Sequence, residues 1–178
     1  MIILKNCPLY VSYGMALRTV CTFITFYLVK RYAPHWDMNL ALPIILAVLD
    51  QTDNLFFKIV QISKDGWIIQ STNCTKKSKV ARIYQTSDKI IDILSYILCY
   101  IYFYKDLKDT LLEFFIVYRL IGVICYVNTH NKYFLVGFFD FVKEYMLYKY
   151  FFKNNQTYLP VLVICKLIFE YIFHLRMN

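Results

Sequence analysis

Apolar residues fall along this chain in stretches of about twenty, separated by short polar breaks, with no sustained alternation of apolar and polar positions. Six such stretches stand out: Tyr10 to Val29, Met38 to Phe57, Ile83 to Tyr104, Thr110 to Val127, Tyr133 to Phe152, and Tyr158 to Leu175. Each has the length, about 18–22 residues, that carries a helix across roughly 30 Å of hydrocarbon. Strands of a membrane barrel would need the dyad pattern that is missing here. The expected fold is an all-α integral membrane protein, a bundle of about six transmembrane helices forming one domain over residues 1–178. The fifth stretch fits least well, because Asp140, Lys143, Glu144 and Lys149 interrupt it.

Composition strengthens that expectation. Of 178 residues, 59% are hydrophobic and 19% aromatic, with only four glycines and four prolines to break helices. The mean hydropathy of +0.44 leaves too few polar faces for an ordinary water-soluble domain of this length. No cleavable signal pattern opens the chain, so the first span is expected to be retained.

The net charge of +8 adds a topology. Lys58, Lys64, Lys76, Lys77, Lys79 and Arg82 crowd the connection 58–82 between the second and third spans, and the positive-inside tendency places it in the cytosol. Six spans then put both termini there as well. Of the two glycosylation acceptors, Asn73-Cys-Thr and Asn155-Gln-Thr, this topology favours Asn155 as lumenal. The six cysteines and three histidines are dispersed without zinc-ligand or disulfide spacing.

Ionisable residues inside the stretches carry the functional signal, since a charge in a span turns toward the bundle interior or a water-filled cavity. Lys166 and Glu170 are spaced to pair on one helix face, and Asp140 and Lys143 similarly. Arg18 lies in the first stretch, and Arg119 in "FFIVYRLIGVICY" has no acid three or four positions away, so its partner lies on another helix or is an anion. Asp50 and Asp53 share a face at the end of the second stretch, and Asp88 and Asp92 share one near the start of the third. Antiparallel neighbours would gather all four carboxylates on one side of the membrane, beside the basic loop. Such a group needs positive compensation, and hard oxygen ligands suit a divalent cation such as Mg²⁺ or Mn²⁺. The same spacing in Asp106-Leu-Lys-Asp109, expected in an exposed loop, shows that a single pair means little.

The stretch Asp50-Gln-Thr-Asp53-Asn54-Leu-Phe-Phe57-Lys58, followed by Tyr84-Gln-Thr-Ser-Asp88-Lys-Ile-Ile-Asp92, resembles the paired motif of the CDP-alcohol phosphotransferases, which are six-span membrane enzymes. The four aspartates match in spacing and span position, and Lys58 stands where that family has Arg. Asn54, Phe57 and Tyr84 stand where it has small residues, and the spacer is longer. The resemblance implies two divalent ions (Mg or Mn) bound by Asp50, Asp53, Asp88 and Asp92. It implies Asp92 as the base that deprotonates an acceptor alcohol, and Lys58 as a contact to the nucleotide phosphates. The implied reaction transfers a phospho-alcohol group from a CDP-alcohol, such as CDP-diacylglycerol, and releases CMP in phospholipid synthesis. The partners expected on this reading are membrane lipid, the CDP-alcohol and a second copy of the chain, with no nucleic acid. Beside it stands a non-catalytic membrane scaffold or assembly protein, whose buried charges pair with one another.

Overall fold

The computed structural model describes residues 3–50, 79–152 and 155–172. All regular structure among them is helical. Helix α1 (Ile3–Tyr32) is longer than its apolar stretch and stops ahead of Pro34, which disfavours helical backbone in the residue before it. A turn leads into α2 (Met38–Asp50), where the Asp37 carboxylate accepts from the backbone N–H of Asn39. Helix α3 (Lys79–Tyr102) is followed by the single turn α4 (Tyr104–Leu107). Helix α5 (Thr110–Thr129) is capped at its start by Asp109, which accepts from the N–H groups of Leu111 and Leu112. It ends at His130 in the left-handed region, φ 55°.

The fifth stretch is not one helix. It divides into α6 (Tyr133–Gly137) and α7 (Val142–Phe152), with residues 138–141 non-helical between them. After a 3₁₀ turn at Gln156–Tyr158, α8 (Leu159–Tyr171) closes the described chain, with Pro160 in its first turn where the missing N–H costs nothing.

Packing runs in sequence around the bundle: α1 lies along α3, α3 along α5, α5 against α6 and α7, and α6 against α8. The core is aromatic and aliphatic. Phe26, Leu42, Leu46, Tyr96, Phe103, Leu112, Phe141 and Met146 are all buried, and Phe115 packs its ring against Phe141 and Tyr145 at 5.0 and 5.2 Å. Burying a side chain of this size is worth roughly 1.5–3 kcal/mol in water, and less where lipid replaces water outside. Among the described residues α5 is the one helix both long and apolar enough to cross a membrane, and α2 as described is apolar but shorter. Six independent crossings are therefore an expectation that helix length and hydropathy alone do not reproduce.

Candidate functional site

The inward face of α1 recurs at Met15, Arg18, Thr22 and Phe26, the spacing that keeps one side of a helix turned to its neighbours. That places Arg18, 2% exposed, among acids from two other helices. Its Nη2 donates to Asp92 Oδ1 at 2.6 Å and to Asp50 Oδ1 at 3.2 Å, and its Nη1 to Asp88 Oδ1 at 2.8 Å. Lys89 donates to Asp88 Oδ2 at 2.9 Å and to Asp92 Oδ2 at 3.4 Å. Lys143, from α7, reaches Asp50 Oδ2 at 3.3 Å. Each of these three aspartates thus gives one oxygen to Arg18 and the other to a lysine, so among the described residues three acids and three bases meet and join four helices.

Three of the four predicted aspartates come together. Oxygens of Asp50, Asp88 and Asp92 all lie within 4.8 Å of one another, close enough for one ion with ligand distances of about 2.0–2.6 Å to touch all three. Asp53 and Lys58 lie outside the described residues. The donor set is the hard-oxygen set a divalent cation takes. The cation now at its centre is the Arg18 guanidinium, which a metal would have to displace. Chain comparison with protein families, with curated proteins and with solved structures found no match.

The sequence left the basic half of this group unassigned. Arg18 carried a signal, because α1 contains no acid and its buried cation needed a partner from elsewhere. Lys89 sits next to Asp88 and three residues before Asp92, within reach on the same helix face. Lys143 lies near Asp140, whose charge acts on it, but its hydrogen bond goes to Asp50. Its expected i,i+3 partner Asp140 is engaged elsewhere, accepting from Tyr96 Oη at 2.5 Å and from the Val142 N–H at 3.3 Å.

Other predicted residues also resolve. Arg119, 2% exposed, donates to backbone carbonyls: Phe138 O at 2.7 Å and Leu135 O at 3.3 Å. The expected Lys166–Glu170 pair forms at 3.3 Å, and Lys166 makes a shorter contact to Glu144 at 2.6 Å. Asp109 is not a plain loop acid. Besides capping α5 it pairs with Lys149 at 2.9 Å and accepts from Tyr145 Oη at 3.0 Å. Burial alone would raise its carboxyl; the Lys149 ammonium, the Leu112 N–H and the Tyr145 hydroxyl outweigh that and hold it below the usual carboxylate range. These residues line a cavity of about 320 Å³ with Leu111, Tyr148 and Leu159. Its charged lining groups satisfy one another, and it stands apart from the Arg18 cluster.

Proposed function

We propose that the chain is a multi-pass membrane protein, with loop 58–82 and both termini cytosolic, whose Arg18 cluster is a site of metal-dependent phospho-alcohol transfer from a CDP-alcohol. The membrane reading is supported by an inside-out distribution of polarity. On α1, Arg18 and Thr22 are buried while Val20, Ile24 and Tyr27 are more than half exposed. On α8 the buried residue is Glu170, while Val161, Ile164 and Ile168 face outward. Apolar surface recurring on the outer faces of α1, α2, α3, α5 and α8 suits lipid far better than water.

The convergence of Asp50, Asp88 and Asp92 is the observation that carries the transfer reading, because these are the motif positions, drawn from two segments far apart in sequence. Asp50, Asp88 and Asp92 would hold the ion, together with Asp53, and a divalent cation supplies charge neutralisation to a diphosphate. On this reading Asp92, 6% exposed and the deepest of the three, would take the proton of an acceptor alcohol. Arg18, Lys89 and Lys143, once parted from the carboxylates, are cations at hand for phosphate oxygens. The test is Mg²⁺- or Mn²⁺-dependent release of CMP from CDP-diacylglycerol by the purified chain. Asp92→Asn is expected to abolish release while leaving the melting profile cooperative. Equal rates in parent and variant would sink the assignment.

A second reading is favoured by the engagement of all six carboxylate oxygens with cations. On it the cluster is structural, a fixed cross-link between α1, α2, α3 and α7 in a scaffold protein. It predicts no CMP release from any CDP-alcohol, no Mn²⁺ binding, and a stability loss whenever one charge is removed alone.

A further inference from the structure

The break between α6 and α7 exposes backbone groups inside the bundle, and in a membrane such groups must be met by protein. Adjacent side chains of α5 meet them. Tyr118 Oη donates to Gly137 O, and Arg119 Nη1 donates to Leu135 O and Phe138 O. From the far side, Asp140 caps the start of α7 and is held by Tyr96 of α3. Gly122 admits the break sterically: a Cβ there would lie 2.2 Å from Phe138 Cβ. Helix α7 begins at Val142, and its second residue is Lys143, the one member of the Arg18 cluster supplied by this part of the chain.

We propose that Arg119 is a positioning residue for the cluster: by holding the helix break it sets the start of α7 and so delivers Lys143 to Asp50. The hydrogen-bond partners of Arg119 are carbonyls at the break, five and eight residues before Lys143 along the chain, at Phe138 and Leu135, with the Asp140 cap three before it. Arg119 itself does not touch the carboxylates of the cluster at ion-pair distance; its charge also bears on Lys89 and Asp140, and its hydrogen bonds reach the backbone that leads into α7. The inference holds for the cluster whether it is catalytic or structural.

The experiment is a double-mutant cycle on Asp50→Asn and Lys143→Met, read as melting temperatures of the full chain in detergent, repeated in an Arg119→Gln background. In the parental background the double variant is expected to lose less than the sum of the single losses. In Arg119→Gln that coupling is expected to fall by at least half, and Arg119→Lys, which still donates to a carbonyl, is expected to restore part of it. A merely stabilising Arg119 would lower all four melting temperatures and leave the coupling intact, which overturns the proposal; so does additivity in the parental background. Should Arg119→Gln fail to fold, Gly122→Ala carries the same cycle, because it displaces Phe138 without changing any charge. CMP release plays no part in the readout, so failure of the transfer reading and failure of this one are separate results.

Discussion

Among the described residues, replacing Arg18 by glutamine leaves Asp50, Asp88 and Asp92 with Lys89 and Lys143 as their ion-pair partners. Glutamine keeps a donor and most of the length, so the change is chiefly one of charge. Two carboxylate oxygens no more than 4.8 Å apart repel by at least about 3.5 kcal/mol at an effective dielectric of about 20. That agrees with the roughly 3–5 kcal/mol lost when one partner of a buried ion pair is removed. For a chain of this size each kcal/mol moves the melting temperature by about 2–4 °C, so Arg18→Gln should melt roughly 6–20 °C below the parent. Adding Asp92→Asn restores two acids against two bases and should recover most of the loss. Mn²⁺ then separates the two functional readings. An ion at a hundred times its dissociation constant stabilises by about 2.7 kcal/mol, so it should raise the melting temperature of Arg18→Gln but not of Arg18→Gln with Asp92→Asn. A loss below about 1 kcal/mol for Arg18→Gln, or further destabilisation on adding Asp92→Asn, would refute the charge-balance reasoning.

Three further outcomes are expected. Ile121, 45% exposed near the middle of α5, should cost roughly 2.5–3.5 kcal/mol of membrane insertion when changed to Lys, measured by alkaline extraction and glycosylation mapping; a solvent-facing site would shift by less than about 0.5 kcal/mol. Asp109→Asn keeps the cap but removes the charge. Because the folded carboxyl titrates below its unfolded value, its contribution is present above about pH 3.9 and is lost as pH falls through the folded value. Melting curves of parent and variant should therefore differ near neutrality and converge in acid, whereas a gap independent of pH would count against the Lys149 and Tyr145 contacts as the cause. Tyr96→Phe removes the hydroxyl that donates to buried Asp140 and should cost about 1–3 kcal/mol in chemical denaturation, with little loss in an Asp140→Ala background, which has no acceptor.

The sequence by itself determined helicity, because long apolar stretches with few glycines and prolines leave the backbone no better way to satisfy its hydrogen bonds. It also raised the expectation that Asp50, Asp53, Asp88 and Asp92 gather on one side if their helices are antiparallel neighbours, and the three described ones do converge. Even the weakness of the fifth stretch was legible, in the charges that now flank the break between α6 and α7. What only the tertiary structure decided is which cations meet those acids. Helical periodicity ranks partners within one helix, so Lys143 was matched to Asp140, while Arg119 was left to a partner on another helix or an anion. Packing sends the Lys143 hydrogen bond to Asp50 across 93 residues, gives Asp140 a hydrogen bond from Tyr96 with the charges of Arg119 and Lys143 nearby, and turns the Arg119 guanidinium to the carbonyls of a broken helix. Arg18 lies 32, 70 and 74 residues from Asp50, Asp88 and Asp92, a proximity set by the way α1 lies along α3 and not by any local spacing.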